Sequence, residues 1–397
     1  MSKKLIVGIT GSIAAYKAVQ LISDLIKKDY HIEVMMSESA TKFITPVCIQ
    51  SLTKRKVYVD TFDDENPAII THVDIVKDAD LFMIVPASAH TIAKVAYGMA
   101  DNMLTSAFLA ATCPKLIAPA MNVHMYENPI TQKNIQLLKD MGIYFVEPTC
   151  GLLACGDVGK GKLADEDDIL EMMDYAFAKK TMLKKRVLVS AGPTQENIDP
   201  VRYITNHSSG KMGYSIAKAA FCLGADVTLV SGPTHLKKPY GVHVIDVHTA
   251  QNMYDEIMKI SDQFDYIIMS AAVGDYRCLS ISDEKIKKND DLLSLELTKN
   301  KDILYELGLK KKENQMLCGF AMETSDLILH AQEKLSKKHC DMIVANHLKT
   351  KGAGFKGDTN VVSFLTQGSV KEFGLMSKDE LAYKILNTLM MMEDKKC

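Results

Sequence analysis

The chain lacks an excess of charge of either sign, because its 47 lysines and arginines stand against 49 aspartates and glutamates. A net charge of -2 gives no overall attraction to nucleic acid or to an anionic membrane. The chain also lacks an apolar run near the roughly 18 to 20 residues that a membrane-spanning helix needs. We therefore expect no nucleic-acid or membrane partner, and any basic site must be a local cluster.

The chain also lacks a cysteine pattern typical of metal or redox sites. Its nine cysteines include no C-x2-C pair, which argues against zinc ribbons and thioredoxin-like motifs. Residues 1–4 lead directly into an apolar run, so we expect no targeting segment. Together with the odd cysteine count, this predicts a reducing, cytoplasmic environment.

Short apolar runs alternate with helical patterns along all 397 residues. The first run, 4–10, is continuously apolar, as expected of a strand buried on both faces. Such alternation predicts parallel sheets with helices on both faces. The pattern stops in the charged segment 179–185 and restarts at 186. We therefore predict an α/β chain with two tandem Rossmann-like domains, 1–183 and 184–397.

Two late segments of the second half depart from this alternation. Lysine-rich, alternating residues at 284–298 predict a β excursion off the main sheet. Residues 360–366 and 370–373 predict a hairpin. A last helical pattern covers 378–391.

Gly11, Ser12 and Ile13 follow the first strand and open a helical pattern. Exposed N–H groups at a helix N-terminus bind phosphate. The segment does not match G-x-G-x-x-G, so a single phosphate suits it better than a dinucleotide does. The alternative is an ordinary tight turn between a strand and a helix.

Three further stretches of the first half carry small or polar residues, at 86–91, 119–125 and 150–161. The first two end predicted strands, where ligands of open α/β sheets bind. The third is glycine-rich, and its Cys155 could donate a proton from a mobile loop or be a structural thiol. His72 begins a helix predicted over 71–78, where a neutral imidazole could act as a base; the alternative is a surface or core histidine.

The motifs G-S-I-A-A-Y-K, H-V-D, P-A-S-A, P-A-M-N-x-x-M and A-C-G-D-x-G occur in this order. Together they resemble the flavin-dependent cysteine decarboxylases, which include phosphopantothenoylcysteine decarboxylases and peptidyl-cysteine decarboxylases of the lantibiotic type. The resemblance implies a flavodoxin-like domain, His72 as an active-site residue, Asn122 and Met125 as substrate-binding residues, and Cys155 as proton donor. It implies FMN bound by Gly11, Ser12, Ile13, Ser37, Ser88, Ala89 and Ala120. His90 departs from the asparagine of many members.

The implied chemistry explains why a flavin is needed. A carboxylate β to a thiol has no place for the electrons that remain when CO2 leaves. Oxidation of the thiol to a thioaldehyde by the flavin supplies that place, and an enethiol results. Return of a hydride, with a proton from Cys155, completes the reaction.

The segment 206–213, N-H-S-S-G-K-M-G, looks like part of a P-loop. It lacks the P-loop spacing, and Met212 stands where a Mg²⁺-binding hydroxyl would be, which argues against a Walker ATPase. Arg202, Asn206 and Lys211 still offer a cation, an amide and an ammonium for a phosphate. The alternative is a solvated polar loop.

With A-G-P-T and D-P-V-R-Y, this segment resembles the phosphopantothenate–cysteine ligases of the CTP-dependent bacterial type. The resemblance implies a nucleotide-binding ligase domain with Asn206 and Lys285 as catalytic residues, and Arg202 and Lys211 as substrate-binding residues. Lys301 and His347 depart from the proline and aspartate that are usual there. The implied CTP-binding residues are Met269, Ser270, Ala271, Asp275, Lys285, Lys301, Asp302, Ile303, Leu304, Phe320, Lys334 and Lys338.

The two resemblances together imply a bifunctional enzyme of coenzyme A biosynthesis. Its ligase would join 4'-phosphopantothenate to L-cysteine through an acyl-cytidylate formed from CTP with Mg²⁺, whose protein ligands the motifs leave open. Its decarboxylase would convert the product to 4'-phosphopantetheine. The resemblance also implies self-association, with decarboxylase trimers holding FMN at the subunit interface and ligase dimers, combined in a dodecamer.

Two alternatives remain. One is a decarboxylase for another cysteinyl substrate, with the second half as a scaffold. The other is a non-catalytic flavoprotein that regulates a partner.

Overall fold

The computed structural model describes residues 2–62, 70–287, 293–323, 327–347 and 357–395. The chain divides into two compact units, Met1–Ala178 and Lys179–Cys397. Each has a largely parallel sheet, which confirms the predicted α/β class with two Rossmann-like units. The boundary at 183/184 between two activities stays a prediction. Within the described ranges, no helix has the length and apolar character needed to span a bilayer.

The first unit contains a six-stranded sheet in its described part, and all its neighbouring strands are parallel. A separate antiparallel hairpin follows it. The strands are β1 (Lys4–Ile9), β2 (His31–Met36), β3 (Val57–Tyr58), β4 (Leu81–Ala87), β5 (Lys115–Pro119), β6 (Tyr144–Phe145), β7 (Thr149–Leu152) and β8 (Val158–Lys162). The helices are α1 (Ala15–Lys27), α2 (Pro46–Thr53), α3 (Thr71–Asp74), α4 (Ala89–Ala96), α5 (Met103–Ala110), α6 (Val123–Glu127), α7 (Pro129–Asp140) and α8 (Glu166–Phe177).

The sheet order β3-β2-β1-β4-β5-β6 places the first strand in the interior. From β1 the chain runs outward through β2 and β3, then returns to pair β4 with the other side of β1. In open α/β sheets such a reversal leaves a crevice beyond the carboxyl ends of the two central strands. This crevice positions the first site.

Among the described helices of the first unit, three were not predicted: α2, α5 and α6. The reason is clearest in α5, where Leu104 and Phe108 are buried but the exposed residues Leu109 and Ala110 are apolar too, so no polar face marks a helical period. Its start is instead fixed by a capping box, in which Asn102 and Thr105 satisfy each other's backbone N–H groups. The helix predicted over 71–78 is shorter, with only α3 as a regular turn.

The glycine-rich stretch 150–161, predicted as a mobile flap, is a hairpin in the structure. Strands β7 and β8 pair antiparallel, with Cys150 opposite Lys160 and Leu152 opposite Val158. The turn between them carries Cys155.

The second unit contains, among its described residues, an eight-stranded sheet in the order β13-β12-β9-β14-β17-β18-β19-β20. Its first six strands are parallel, and β19 pairs antiparallel with both β18 and β20. The strands are β9 (Arg186–Ala191), β10 (Gln195–Asn197), β11 (Tyr203–Thr205), β12 (Asp226–Ser231), β13 (His243–Asp246), β14 (Tyr266–Met269), β15 (Tyr276–Cys278), β16 (Leu297–Lys299), β17 (Met316–Glu323), β18 (Met342–His347), β19 (Thr359–Thr366) and β20 (Ser369–Ser377). The helices are α9 (Lys211–Cys222), α10 (Ala250–Ile260), α11 (Ile303–Lys310), α12 (Leu327–Lys337) and α13 (Lys378–Glu393).

Helices cover both faces of this second sheet, as predicted. Ile216 of α9 and Ile385 of α13 pack into one buried cluster. Met253 of α10, Leu307 of α11 and Leu335 of α12 pack into another. The predicted hairpin is confirmed by β19 and β20. The predicted excursion at 284–298 reaches a strand only at its end, among its described residues, where β16 pairs antiparallel with the earlier strand β15.

Candidate active sites

A cavity of about 910 Å³ lies at the crevice of the first unit, where β1, β2, β4 and β5 end. Its size suits a cofactor, since ligand pockets span roughly 300 to 1,000 Å³. All seven predicted FMN-binding residues line it, together with Asn122, Met125 and Cys155 of the predicted substrate site. The seven are Gly11, Ser12, Ile13, Ser37, Ser88, Ala89 and Ala120.

The turn after β1 brings two backbones close together at the cavity. A Cβ atom on Gly11 would lie 2.5 Å from Cβ of Ser39, so only glycine fits. Ser12 turns the chain by donating its N–H to Thr10 O at 2.8 Å, and its Oγ accepts from Ala14 N at 3.3 Å. The helix then begins at Ala15, two residues later than the pattern predicts.

Thr10 ties the ends of two central strands together beneath the cavity. Its side chain is buried and donates to Pro86 O at 2.7 Å, while it accepts from Ser88 N at 2.8 Å. Ser88 in turn caps α4 by accepting from Thr91 N at 3.3 Å. Thr10 was not among the predicted site residues, because its role depends on a strand 76 positions away.

The predicted substrate and proton-donor residues meet in one hydrogen-bonded cluster. Asn122 Nδ2 donates to Asp157 Oδ2 at 2.7 Å and to Cys155 Sγ at 3.2 Å. The Cys155 thiol donates to the same Asp157 oxygen at 3.3 Å. The hydrogen bond from Cys155, and after it the one from Asn122, hold the pKa of Asp157 below its usual range.

Asp157 was also not predicted as a site residue. The available signal was its place in A-C-G-D-x-G, two residues after Cys155.

The hairpin that carries Cys155 packs backbone to backbone on the loop before α6. Gly161 O accepts from Met121 N at 3.0 Å, and a Cβ on Gly161 would lie 2.4 Å from Met121 O. A Cβ on Gly159 would lie 2.6 Å from the Val123 side chain. The glycines therefore permit this close approach, which places Cys155 beside Asn122.

A second anchor of the hairpin is the carboxylate of Glu147. It accepts from Lys160 of β8 at 2.9 Å, from Lys139 of α7 at 2.7 Å, and from the Tyr126 hydroxyl at 2.6 Å. Burial alone would raise the pKa of Glu147, but these three hydrogen bonds outweigh it and lower the pKa to about 2. The carboxylate is therefore ionised at neutral pH.

His72 is the one predicted catalytic residue of the first half that is not among the residues lining this cavity in the described part of the chain. It lies in the single turn of α3 and is partly exposed. Because α3 is only four residues long, it has little helix dipole to favour the neutral form of the imidazole, as the longer predicted helix would have.

In the second unit, Asn206 lies against the loop that follows β14. Its Nδ2 donates to Ala272 O at 3.2 Å and to Val273 O at 3.3 Å. The same loop is held by A-G-P-T, because Gly274 N donates to Thr194 Oγ1 at 2.8 Å. Asn206 and the segment leading to Asp275 therefore lie close together, as predicted for one site.

Arg202 is held by a buried carboxylate. Asp199 accepts from Arg202 Nε at 2.9 Å, and Arg202 Nη2 also donates to Ile286 O at 3.0 Å. The N–H of Ile286 also donates a hydrogen bond to Asp199 Oδ2 at 3.2 Å. The hydrogen bonds from Arg202 hold the pKa of Asp199 far below its usual range. Lys285, next to Ile286, is thereby brought near Arg202.

The remaining predicted lysines of the nucleotide site are Lys301, Lys334 and Lys338, which lie near the start of α11 or contact β17. Lys338 pairs with Asp302, which caps α11. Lys334 donates to Phe320 O at 2.8 Å, and Lys301 Nζ lies 4.2 Å from the centre of the Tyr254 ring. Burial lowers the pKa of Lys338. Met269, Ser270, Ala271, Ile303 and Leu304 belong to the neighbouring strand end and helix start.

Lys211 makes a different contact, an ion pair with Asp358 at 2.6 Å. His347, one of the two departures from the ligase pattern, bonds Ser363 Oγ at 2.8 Å. Residues 288–292 of the predicted excursion lie outside the described residues.

Two smaller cavities of the second unit lie away from these residues. One of about 530 Å³ and one of about 210 Å³ are lined by α12 and the turn between β19 and β20, with Lys311 and Asp341 beside the smaller. Over the described ranges, no three His, Cys, Asp or Glu side chains come together as metal ligands. The eight cysteines that are described form no disulfide with one another.

Comparison with known proteins agrees with this division of the chain. A family model described as Flavoprotein matches residues 1–177, and one described as DNA/pantothenate metabolism flavoprotein C-terminal domain matches 182–392. The coenzyme A biosynthesis bifunctional protein CoaBC of Bacillus subtilis (strain 168) is 45% identical over 393 residues, which cover 98% of this chain and 97% of that protein. The chain belongs to the family of coenzyme A biosynthesis bifunctional proteins.

Two further proteins are similar to this family member. A cysteine/cysteine sulfinic acid decarboxylase from an unknown prokaryotic organism is 43% identical over 354 residues, covering 87% of this chain and 99% of that protein. A crystal structure of the C-terminal domain of a CoaBC protein is 43% identical, covers 54% of this chain and 99% of that domain, and has a TM-score of 0.46.

Membership in the family confirms the predicted function, a bifunctional enzyme of coenzyme A biosynthesis, and the flavoprotein character of the first half. The roles of individual residues stay predictions.

Proposed function

We propose that this enzyme joins 4'-phosphopantothenate to L-cysteine using CTP, and then decarboxylates the product to 4'-phosphopantetheine and CO2. Residues 184–397 would carry the ligase and residues 1–183 the decarboxylase. The observation that carries the proposal is the contact of Asn122 with Cys155 at 3.2 Å, in a cavity lined by every predicted FMN residue.

The residues of the first cavity fit FMN. Gly11 packs closely on Ser39, where a side chain would clash, and this tight turn places Ser12 and Ile13 in the lining of the cavity. Ser12, Ser37 and Ser88 add hydroxyl groups, and the exposed apolar side chains of Ile13 and Met125 suit a flat ring system. Bound FMN would supply the oxidant that converts the substrate thiol into an electron sink for decarboxylation.

The chain's own residues would orient the substrate and move one proton. The amide of Asn122 would donate to the substrate carboxylate and so fix the bond that breaks. The thiol of Cys155, held 3.2 Å from Asn122 Nδ2, is within reach of the same carbon skeleton and would give its proton to carbon. The hairpin would cover the site and exclude water.

His72 would act as a base on the substrate thiol. Because the proposed trimer places FMN at the subunit interface, His72 would reach the cavity from a neighbouring copy. Exposed apolar side chains at the cavity support such an interface, with Ile13 58%, Tyr16 61% and Phe43 49% exposed. Paired ligase units would complete a dodecamer.

In the second unit, an oxygen of the 4'-phosphopantothenate carboxylate would attack the α-phosphate of CTP and release pyrophosphate. The amine of cysteine would then displace CMP from the acyl-cytidylate, and the amine proton passes to solvent. Lys285, Lys334 and Lys338 would stabilise the charge on the phosphates. Mg²⁺ would enter with the nucleotide, since it commonly keeps phosphate oxygens and waters as ligands.

The rival with support is decarboxylation of a smaller cysteinyl compound, because a relative named for cysteine and cysteine sulfinic acid matches 87% of the chain. Incubation of the protein with free cysteine or cysteine sulfinate separates the two. We expect CO2 from 4'-phosphopantothenoylcysteine and none from the small compounds. CO2 from free cysteine at a comparable rate would favour the rival.

The substitution Cys155→Ser tests whether the first half is an enzyme or a non-catalytic flavoprotein. Cys155→Ser should release CO2 but leave the enethiol unreduced, because the hydroxyl is a far weaker proton donor. The matched control is Cys150→Ser on the same hairpin, whose exposed thiol is not a lining residue of the cavity within the described chain. It should yield 4'-phosphopantetheine at the normal rate. Flavin absorption bands in both proteins, with normal product from Cys155→Ser, would count against the proposed role.

A further inference from the structure

The side-chain amide nitrogen of Asn122 already contacts two acceptors within the protein. An asparagine amide offers two N–H donors and one carbonyl acceptor. One donor pairs with Asp157 Oδ2 at 2.7 Å, and the nitrogen also contacts Cys155 Sγ at 3.2 Å. Oδ1 accepts from His124 N at 2.8 Å. A substrate carboxylate that binds Asn122 must therefore displace one of these partners.

We propose that the carboxylate of Asp157 occupies, in the substrate-free protein, the place on Asn122 that the substrate carboxylate takes. This inference rests on the proposed function, in which Asn122 binds that carboxylate. Asp157 is the better candidate for displacement, because its contact has the same chemistry: an ionised carboxylate oxygen that accepts from an amide N–H.

The position of Asp157 allows such an exchange. It ends the turn between β7 and β8, which is closed on itself by Gly156 N to Leu153 O at 2.9 Å and Leu153 N to Asp157 O at 2.8 Å. Gly156 adopts φ of 90°, which only glycine does readily. The strands below are held separately, through Gly161 and Lys160. The turn can thus move as one piece while the strands stay in place.

Charge favours release of Asp157 once the substrate arrives. The hydrogen bonds from Cys155 and Asn122 keep the Asp157 carboxylate ionised at neutral pH. A substrate carboxylate on Asn122 would put a second negative charge within roughly 4 Å of it, and like charges repel at that distance. Movement of the turn relieves this repulsion and also frees the thiol of Cys155 from Asp157. Asp157 therefore lowers the affinity for a carboxylated ligand and couples binding to release of the proton donor.

Two matched ligands measure this competition without turnover. They are S-methyl-4'-phosphopantothenoylcysteine and S-methyl-4'-phosphopantetheine, which differ only in the carboxylate and whose blocked sulfur cannot be oxidised. Each is titrated calorimetrically into the full-length flavin-loaded protein. In Asp157→Ala we expect the carboxylated ligand to bind about fivefold more tightly, the factor for one like-charge contact at roughly 4 Å in water. Binding of the ligand without a carboxylate should stay within about twofold, which also shows that the site is intact.

Two more variants separate the roles of charge and contact. Asp157→Asn keeps an acceptor for Asn122 but removes the charge, so we expect a smaller gain than in Asp157→Ala. Asp101→Ala removes one negative charge from the same cavity, where Asp101 pairs with Lys94 at 2.5 Å and not with Asn122. It should leave the ratio of the two affinities unchanged.

The inference is overturned if Asp157→Ala leaves that ratio unchanged, or if Asp101→Ala raises it equally. Failure of the wild-type protein to bind either ligand overturns the proposed function itself. The two failures can be distinguished, because the inference can fail while the proposed function holds only if the wild-type protein binds both ligands.

Discussion

Asp199 and Arg202 form a closed ion pair, in which the carboxylate accepts from Nε at 2.9 Å and from Nη2 at 2.5 Å. Asp199 is only 2% exposed. The pair also bonds both the N–H and the C=O of Ile286, which lies between Lys285 and Lys287. The conformation of the lysine segment therefore depends on a carboxylate more than 80 positions earlier in the chain.

Asp199→Asn should reduce the ligase reaction and leave the decarboxylase intact. The variant keeps the size of the side chain but removes the charge partner of Arg202, and an asparagine has one acceptor oxygen in place of two for the N–H donors of Arg202 and Ile286. We expect CMP release from CTP, 4'-phosphopantothenate and cysteine to fall at least about tenfold. Decarboxylation of added 4'-phosphopantothenoylcysteine should keep its rate.

The matched control for this prediction is Asp246→Asn. Asp246 pairs with Lys238 at 2.6 Å, but both side chains are more than half exposed, and such pairs contribute little. CMP release should stay near that of the wild type. An equal loss in both variants would mean that the Asp199 pair has no particular role.

Glu147→Gln should loosen the hairpin that carries Cys155. The variant removes the charge that Lys139 and Lys160 share, at 2.7 and 2.9 Å. We expect faster amide hydrogen exchange over 149–162, measured by mass spectrometry on the full chain at pH 7, and slower proton return at Cys155. Asp24→Asn, which removes the surface pair with Lys27, should leave exchange in the hairpin unchanged.

The stability difference between the wild-type protein and Glu147→Gln should depend on pH, with a definite sign. The pKa of Glu147 in the folded protein is about 2, below the usual value of roughly 4.3 in unfolded chains. Its stabilising contribution is therefore complete above about pH 5 and is lost as the pH falls from there toward 2. The difference in unfolding temperature between wild type and Glu147→Gln, followed by flavin release, should be constant from pH 7 to about 5.5 and shrink at pH 4. A difference that grows on acidification would contradict this assignment.

Gly161→Ala should damage the first active site, whereas Gly151→Ala should not. A Cβ on Gly161 would lie 2.4 Å from Met121 O, so the hairpin must move away from Asn122. A Cβ on Gly151 of the paired strand would meet only Lys162 Cδ, at an ordinary 3.6 Å. We expect at least about a tenfold loss of decarboxylation in the first variant and less than about a twofold change in the second, since misplacement by 1 Å can reduce rates about a hundredfold. Equal rates would show that the close approach is not needed.

Local patterns predicted the strands that form the centre of each sheet. Strand β9 begins at 186, where the apolar pattern restarts, and β1 ends one residue before the predicted run 4–10 does. Helix α5 was missed because its exposed face is also apolar at Leu109 and Ala110, so the sequence shows no polar face. Its Asn102 and Thr105 were a detectable signal of a helix start.

The predicted site residues depend on motifs at the ends of strands, and the cavity in the first unit brings all of its predicted FMN residues together. The residues that position them could not be found in this way. Glu147 contacts three residues that are 8 to 21 positions away, and Asp199 contacts Ile286 across 87. Such contacts exist only once the chain has folded, so local spacing does not predict them.

The central claim, that one chain performs both reactions in sequence, is tested most directly by product analysis. The purified full-length protein is incubated with 4'-phosphopantothenate, L-cysteine, CTP and Mg²⁺, and the products are measured by mass spectrometry with radiometric CO2 detection. We expect CMP, pyrophosphate, CO2 and 4'-phosphopantetheine in equal amounts. When FMN is removed, 4'-phosphopantothenoylcysteine should accumulate instead, with or without Cys155. Absence of CMP, or formation of CMP with no CO2 from the flavin-loaded protein, would contradict the account.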